Sequence, residues 1–282
     1  MSFHSTSMVL LFVLTELLCA LRSLAADGPI TLPHAHAHND YEHTRPLLDA
    51  LDHGFCSVEA DVWLVDGKLL VAHDVRDIKA ERTLEALYLD PLRARVDKQG
   101  GSVYDKGPGD RGAFWLLIDL KSEAEATYRV LHDALARHAE MLTTFRDGVV
   151  EKRAITVVVS GVVRPQETMA RQKLRYAGID GRLSDLDSRM PGHLMPVISD
   201  RWTAHFSWDG RGAMPDAERK RLREIVGTAH ERGRVVRFWA TPELPAVWRE
   251  LRQAEVDLIG TDRLNELREF FTSEHDEAES EG

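Results

Sequence analysis

The sequence has few cysteines. Only Cys19 and Cys56 occur among its 282 residues, and Cys19 lies in the apolar N-terminal segment. We therefore expect no internal disulfide in the mature protein and a fold that depends on its hydrophobic core. Cys56 lies in an apolar run typical of a strand, which favours a buried, unreactive thiol over a catalytic one.

Basic residues are not in excess either. The 36 Lys and Arg residues are outnumbered by 46 Asp and Glu residues, which gives a formal net charge of -10. The absence of a basic excess argues against nucleic acid as a partner. The last residues are rich in acidic side chains and show no apolar periodicity, so we predict an acidic disordered tail over residues 272–282.

Uninterrupted apolar runs of about 20 residues, the length that a membrane-spanning helix needs, are missing. The N-terminal apolar stretch covers residues 8–20 and is followed by small residues at positions 23, 25 and 26. This pattern predicts a signal peptide over residues 1–26 and a secreted or periplasmic protein. Glu16 interrupts the stretch and no Lys or Arg precedes it, so membrane anchoring by an uncleaved leader is the alternative.

The remaining chain contains no short repeat, and apolar runs typical of strands alternate with helical stretches. Eight runs are candidates for parallel strands: residues 32–38, 55–64, 114–120, 154–159, 178–183, 195–198, 234–239 and 258–260. Residues 68–73 follow an Asp-Gly turn and predict a hairpin return. Helices are expected at residues 46–52, 123–142, 215–232, 243–255 and 262–271. The count of eight, and the lack of a G-x-G-x-x-G turn after the first strand, favour an α/β fold with a single (β/α)₈ TIM barrel over residues 27–271.

Charged residues concentrate where the predicted strands end, which is where barrel enzymes carry their active sites. Glu59 and Asp61 are two residues apart on one strand and so point to the same face, and Asp119 ends the next strand. Buried carboxylates side by side need a neutralising partner, and three of them without cysteine favour one divalent cation, Mg²⁺ or Ca²⁺. A salt-bridge network with Arg or Lys is the alternative.

Two histidines flank this group in the sequence. His38 ends the first strand and His73 ends the hairpin, and histidine titrates near neutral pH, so we predict an acid/base pair. Lys121 is a candidate phosphate contact because an ammonium group neutralises charge on a transferring phosphoryl group. Asp40 and Asp74, next to these positions, are predicted to orient the two histidines or their loops.

The alternating segment His34, His36, His38 suggests a different metal site. Binuclear zinc hydrolases on barrels also begin with H-x-H at the first strand. His193, His205 and Asp262 are the residues that would complete such a site. In that case Glu59, Asp61 and Asp119 have no assigned role.

The segment at residues 38–74, HNDYEHTRPLLDALDHGFCSVEADVWLVDGKLLVAHD, resembles the opening of the PLC-like phosphodiesterase superfamily. This superfamily includes glycerophosphodiester phosphodiesterases and spider-type sphingomyelinase D, and the closest subgroup carries HNDY. The segments TLEALYLDPL and DLIGTDRL are also similar to family segments. The resemblance implies a phosphoric diester hydrolase.

In terms of residues, the resemblance implies His38 and His73 as acid and base and Glu59, Asp61 and Asp119 as metal ligands. It also implies Lys121 and Trp239 at the substrate, and we predict Asn39, next to His38, as a further substrate contact. Asn39 stands where glycerophosphodiesterases carry Arg, and their Pro-Glu-Asn-Thr segment is absent, so the substrate is predicted only as a glycerophosphodiester or a phospholipid-type diester. A secreted, non-catalytic binding protein on the same fold is the further alternative.

The aromatic residues Trp202, Phe206 and Trp208 lie near predicted strand ends. Their size favours a place in the core over a lipid-facing rim. Contact with a membrane is therefore left open by the sequence.

Overall fold

A computed structural model describes residues 28–104 and 114–280, with side chains as far as residue 273. The signal peptide predicted at residues 1–26 lies outside the described residues. The chain divides into two units, Met1–Ile30 and Thr31–Gly282, and the fold below is that of the second unit. Among the described residues, no helix is long and apolar enough to cross a membrane.

The described residues form twelve strands. In chain order they are β1 (Leu32–Ala37), β2 (Phe55–Val65), β3 (Lys68–Val71), β4 (Phe114–Leu120), β5 (Thr144–Arg146), β6 (Val149–Glu151), β7 (Ile155–Ser160), β8 (Leu174–Arg175), β9 (Ala177–Gly181), β10 (Val197–Arg201), β11 (Val235–Trp239) and β12 (Leu258–Thr261).

Eight of these strands close into a parallel barrel. Their order around the barrel is β1, β2, β4, β7, β9, β10, β11 and β12, and β12 pairs with β1 to complete the ring. β4 and β7 are mostly Val, Ile and Leu, as expected for parallel strands with both faces covered, and all six residues of β7 are buried. The predicted eight-stranded TIM barrel is confirmed.

Helices cover the outside of the barrel. They are α1 (Leu48–Asp52), α2 (Asp90–Lys98), α3 (Ala124–Ala136), α4 (Gln166–Arg171), α5 (Asp216–Glu231), α6 (Pro245–Gln253) and α7 (Leu264–Ser280), with a π-helix at Glu85–Leu89 before α2. The carboxylate of Glu123 begins α3 by accepting hydrogen bonds from the backbone N–H groups of Glu125 and Ala126. The N-terminus of this helix therefore lies close to where the sequence places it.

Three strands lie outside the barrel sheet. β5, β6 and β8 form a small antiparallel sheet in segments that lead into β7 and β9, so it belongs to the end of the barrel opposite the carboxyl ends of the strands. The sequence analysis extended helix α3 to residue 142, but the helix ends at Ala136 and the chain turns into β5 instead. Short, exposed strands such as β6 show no clear apolar alternation, so their pattern is hard to recognise.

The last helix is longer than predicted. α7 continues through residues 272–280, which the sequence analysis predicted to be disordered. Its first half is anchored by the buried side chains of Leu267 and Phe270. Glu, which occurs three times in residues 272–280, has high helix propensity and extends a helix that is already nucleated.

Two predictions about the core are confirmed. Cys56 is a free, buried cysteine, and burial raises the pKa of its thiol to about 12, so it is unreactive. Trp202, Phe206 and Trp208 are all buried. Trp202 stacks on Phe206 with ring centroids 4.1 Å apart, and both contact Phe238 edge-on.

Candidate active site

A cavity of about 250 Å³ opens at the carboxyl ends of the barrel strands. Seven of the eight barrel strands contribute a polar or aromatic residue to its lining. These residues are His38 after β1, Asp61 on β2, Asp119 on β4, Ser160 on β7, Arg182 after β9, Ser199 on β10 and Trp239 on β11. The strand ends therefore bring together residues that are up to 201 positions apart in the sequence, from His38 to Trp239.

Three carboxylates form the centre of one side of this cavity. β2 and β4 pair in parallel with Asp61 directly opposite Asp119, and Glu59 lies one pleat further down β2. One oxygen from each of the three residues lies within 4.8 Å of the others. Lys121, which follows β4, places its Nζ 3.0 Å from Asp61 and 3.5 Å from Asp119. We call Glu59, Asp61, Asp119 and Lys121 the acidic cluster.

Burial and mutual repulsion disfavour the charged forms of two of these carboxylates. Burial raises the pKa of Asp119 to about 6, with Asp61 and Glu59 adding to the rise and Lys121 opposing it. The pKa of Asp61 is also raised, first by burial and then by Glu59. The positive charge of Lys121 is therefore too small to offset the burial and mutual repulsion of Asp61 and Asp119.

Glu59 is different because it has its own cation. Arg237 on β11 donates a short hydrogen bond to Glu59 Oε2, and His36 Nε2 lies 3.3 Å from the same oxygen. Burial by itself would raise the pKa of Glu59, but Arg237 and His36 outweigh it and hold the pKa well below its ordinary value. Burial and Arg237 lower the pKa of His36 to about 3, so this histidine is neutral.

One buried oxygen indicates that the acidic cluster is incomplete by itself. Asp61 Oδ2 is within hydrogen-bond distance of Tyr41, His73 and Lys121, whereas Asp61 Oδ1 is buried and has no hydrogen-bond partner among the described residues. A buried, unpaired carboxylate oxygen is costly unless a ligand satisfies it. Together with the three converging carboxylates, it fits a hard divalent cation that prefers oxygen ligands.

His38 is held on the β12 side of the cavity. Its Nδ1 lies 2.8 Å from Asp262 Oδ1, and Asn39 Nδ2 donates to the same oxygen at 3.3 Å. Burial lowers the pKa of His38, but the hydrogen bond to Asp262 and the negative charges of Glu59 and Asp262 together outweigh it and leave the pKa above its usual value. Asn39 adopts a left-handed conformation with φ 49°, which asparagine tolerates better than most residues.

His73 is held by a tyrosine that the sequence analysis did not single out. The Tyr41 hydroxyl lies 2.7 Å from Asn39 Oδ1, 2.7 Å from Asp61 Oδ2 and 3.0 Å from His73 Nδ1. His73 Nδ1 is also 3.0 Å from Asp61 Oδ2. Burial and Asp61 raise the pKa of Tyr41 above its usual value, so it remains a neutral hydroxyl between these groups.

Two predicted residues contact other groups. Asp40 is fully buried and accepts hydrogen bonds from the Leu47 N–H at 2.6 Å and the Tyr88 hydroxyl at 2.8 Å, so it holds the loop between β1 and α1. Burial raises its pKa to about 7. Asp74 is exposed and pairs with Arg76 at 3.0 Å. The predicted loop role of Asp40 fits these contacts, whereas Asp74 has no hydrogen bond to His73 in the described part of the chain.

Trp239 lines the cavity as predicted. The guanidinium carbon of Arg201 lies over its ring, 5.6 Å from the ring centroid. It also lines an adjoining cavity of about 170 Å³ together with His38 and Asp262. This second space begins on the far side of His38 from the acidic cluster, since β12 follows β1 around the barrel.

Of the residues of the binuclear zinc alternative, His38 and Asp262 pair, but the others contact different groups. His34 Nδ1 bonds to the Asp257 carbonyl, His193 contacts Arg175, and His205 lies 3.1 Å from Asp200. Within the described residues, the acidic cluster carboxylates are the one group of potential ligands close enough to share an ion. The salt-bridge alternative is present in part, because Lys121 and Arg237 do pair with the carboxylates.

The contacts of Arg237 and His36 with Glu59 were also not predicted, although each of the two residues stands out in the sequence. Arg237 is a single charge within the apolar run of β11, and His36 alternates with His34 and His38 on β1. A charged residue that alternates with apolar ones on a fully buried strand must face a polar partner inside the barrel. The partner of Arg237 is Glu59, 178 positions away in the sequence, and this contact forms only when the barrel closes.

The fold and the cavity define a (β/α)₈ barrel with a polar site of carboxylates and histidines at the carboxyl ends of its strands. Residues 28–180, more than half of the chain, match the family model described as the AIM6-like phosphodiesterase domain. The chain therefore belongs to the AIM6-like phosphodiesterase family, which confirms the phosphodiesterase resemblance.

Relatives with known names cover most of the chain. Altered inheritance of mitochondria protein 6 homolog from Arthroderma benhamiae is 28% identical over 274 residues, which covers 86% of this chain and 85% of that protein. Altered inheritance of mitochondria protein 6 from Eremothecium gossypii is 28% identical over 291 residues, covering 89% of this chain and 72% of that protein.

Among solved structures, a glycerophosphodiester phosphodiesterase from Parabacteroides distasonis superposes with a TM-score of 0.51. It is 14% identical in sequence, and the alignment covers 86% of this chain and 98% of that one. At this identity the likeness shows the shared barrel fold.

Proposed function

We propose that the chain is a metal-dependent phosphoric diester hydrolase that uses two histidines for acid/base catalysis. The observation that carries the proposal is the convergence of Glu59, Asp61 and Asp119 around a buried, unpaired oxygen of Asp61, between His38 and His73. Family membership supports the same reaction class. Each part of the site then has a distinct task.

The three carboxylates would hold one Mg²⁺ or Ca²⁺. Such an ion, when bound, supplies positive charge to a non-bridging oxygen of the phosphodiester. Lys121 holds Asp61 and Asp119 in place and adds an ammonium group at the edge of the cavity. Arg237 keeps Glu59 ionised, so that at least one ligand is ready to bind the ion.

The two histidines differ in their partners, and this difference assigns their roles. Asp262 holds His38 through Nδ1, which leaves Nε2 to the substrate, and the raised pKa of His38 suits a protonated general acid for the leaving alcohol. His73 is held through Nδ1 by Tyr41 and Asp61, so its Nε2 is left to accept a proton from the nucleophile. That nucleophile is water or, where the substrate offers one, a neighbouring hydroxyl that forms a cyclic phosphate.

For the substrate, we propose a small glycerophosphodiester or a phospholipid-type diester. Val162 lines the cavity and is 97% exposed, and its neighbour Val163 is 66% exposed. Apolar side chains at the mouth of a polar cavity favour a substrate with an apolar part, and contact with a lipid surface belongs to this proposal. Export through the predicted leader would place the activity in a secreted or periplasmic location.

The first test is hydrolysis by the purified protein after chelation and return of Mg²⁺, Ca²⁺ or Zn²⁺. The probes are bis(4-nitrophenyl) phosphate and a panel of glycerophosphodiesters and lysophospholipids, with ³¹P NMR to separate cyclic from open products. We expect Mg²⁺ or Ca²⁺ to restore turnover. Turnover with zinc alone would instead favour a zinc site, and binding of diesters without cleavage would favour a non-catalytic binding protein.

The second test separates the histidines from the metal. His38→Ala and His73→Ala are each expected to reduce kcat by about 10²- to 10⁴-fold while binding of the metal, measured by calorimetry, persists. His53→Ala is the matched control, because His53 lies at the end of α1 and contacts Asn265 away from the cavity. Near-normal turnover in either active-site variant would reject the two-histidine scheme.

A further inference from the structure

A second polar cluster lies on the part of the barrel across from His38. Asp180 on β9 is fully buried, and the hydroxyls of Ser160 on β7 and Ser199 on β10 donate to its Oδ2 at 2.7 and 2.6 Å. β9 is the fifth strand around the ring when β1 is the first, so it faces β1 across the mouth. We call Ser160, Asp180, Arg182 and Ser199 the Asp180 cluster.

Arg182 is the cation of this cluster and is held at two points. Its Nη1 donates to Asp180 Oδ2 at 2.8 Å, and its Nη2 donates to the Gly161 carbonyl at 3.0 Å. The side chain is 24% exposed and lines the cavity. Its conformation is therefore set before any substrate binds.

The Nε–H of Arg182 has no hydrogen-bond partner among the described residues. The hydrogen bonds that the guanidinium makes there come from Nη1 and Nη2. The Nε–H and one Nη2–H lie on the same edge of the planar group, and arginine uses N–H groups of one edge to bind oxygens of a phosphate.

Gly161 lies between Arg182 and the acidic cluster. It has φ 129°, and a Cβ built on it would lie 2.9 Å from the Leu120 carbonyl oxygen and 3.5 Å from Asp119 Oδ1. The end of β7 is thus in direct contact with the end of β4. Arg182 is anchored to the Gly161 carbonyl, and Arg182, Gly161 and Asp119 line the same cavity.

We propose that Arg182 is a substrate-binding residue that holds anionic oxygens of the phosphoryl group, and that Asp180 is the residue that positions it. The proposal rests on the proposed phosphodiesterase function for its substrate class. A phosphoryl group between the acidic cluster and Arg182 would have its leaving alcohol on the side of His38, across the mouth. The contrasting view is that Arg182 only neutralises Asp180.

The test compares Arg182→Gln and Arg182→Lys with wild type. Inorganic phosphate is titrated calorimetrically in the presence of Mg²⁺ or Ca²⁺, and kcat and KM are measured on bis(4-nitrophenyl) phosphate. Arg182→Gln should weaken phosphate binding and raise KM by about 10- to 100-fold, as expected for loss of hydrogen bonds to a charged group. Because the contact exists in the ground state too, kcat should change far less than KM.

Two further variants control for structure. Arg182→Lys keeps the charge but loses the planar edge, so it should weaken phosphate binding to an intermediate degree, and it decides the question if Arg182→Gln does not fold. Arg164→Gln removes another arginine, whose Nη1 donates to the Asp180 carbonyl at 2.9 Å and which does not line the cavity. This control should bind phosphate like wild type.

The outcomes separate this inference from the proposed function. Wild-type phosphate affinity in folded Arg182→Gln or Arg182→Lys, or no phosphate binding by the wild type, would overturn the role of Arg182 whatever the turnover. Phosphate binding that depends on Arg182, in a protein that cleaves no diester, would support this inference and reject the hydrolase.

Discussion

The acidic cluster and the Asp180 cluster lie at the same level of the barrel and differ in charge balance. The acidic cluster has three carboxylates, and only Lys121 and Arg237 pair with them as cations. The Asp180 cluster has one carboxylate, one arginine and two hydroxyl donors. The first keeps a negative excess that raises the pKa of Asp61 and Asp119, and the second is neutral overall.

This difference shows how one barrel mouth can prepare two kinds of contact. A cluster that is short of positive charge is suited to take up a cation, since binding relieves repulsion already present. The Asp180 cluster has no excess of negative charge for an added ion to relieve, and its carboxylate holds Arg182 in one orientation. Substitutions that change the charge of one cluster, with the matching substitution in the other, therefore test whether the two clusters have different roles.

The largest contrast is expected from matched Asp→Asn changes. Asp119→Asn removes a predicted ligand and should lower kcat/KM by about 10³-fold or more, because the loss of mere supporting partners already costs about 10- to 100-fold. Asp180→Asn keeps an oxygen that accepts hydrogen bonds and should cost only about 10-fold, mostly in KM. Steady-state kinetics on bis(4-nitrophenyl) phosphate measures both, and equal losses would contradict the division of labour.

Metal-dependent stability is the next contrast. At about 100 times its dissociation constant, Mg²⁺ or Ca²⁺ should stabilise the wild type by about 2.7 kcal/mol, which thermal unfolding detects as a shift of several degrees. Asp61→Asn should abolish the shift, whereas Asp180→Asn should retain it. A shift that survives in the Asp61 variant would place the ion elsewhere.

A smaller effect is expected from pH in the absence of metal. Asp119 has a pKa of about 6 in the folded protein, above its unfolded value, so the folded state favours the protonated form. Its contribution to stability is fully present below about pH 4 and is lost as the pH rises through about 6. Asp119→Asn should flatten this part of the curve measured by urea unfolding, whereas bound metal, which favours the ionised carboxylate, should reverse its slope.

The smallest effect belongs to the serines of the Asp180 cluster. Ser199→Ala removes one of the hydrogen bonds to Asp180 and should destabilise the protein by about 1 kcal/mol, with a change in KM of only a few-fold. Chemical denaturation and kinetics on the same preparation measure both quantities. A loss of kcat as large as that of Asp119→Asn would place Ser199 in the chemistry instead.

Much of the fold could be predicted because the barrel strands are long, apolar runs. β4 and β7 were predicted almost to the residue, since fully buried parallel strands carry continuous Val, Ile and Leu. β9 and β10 are shorter, and their ends differ from the predicted ones by one to three residues, because Gly178 and Pro196 weaken the apolar pattern around them. Strand pairings within the small sheet have no such signal.

The candidate site was predictable where its residues are close in sequence. Glu59, Asp61 and His73 belong to one hairpin, and Asp119 and Lys121 to the next barrel strand, so strand periodicity indicated a common face. The pairing of His38 with Asp262 and of Glu59 with Arg237 joins opposite ends of the chain. These contacts follow from closure of the ring, which no local pattern encodes.

The β2–β3 hairpin has a consequence for how the site forms and opens. A tight turn with positive φ at Asp66 and Gly67 joins β2, which carries the predicted metal ligand Asp61, to β3, which ends two residues before the proposed catalytic base His73. Contacts within such a hairpin are local in sequence and close quickly. Ligand and base therefore share one cooperative unit, so amide hydrogen exchange across the hairpin should report both being assembled or lost in a single event.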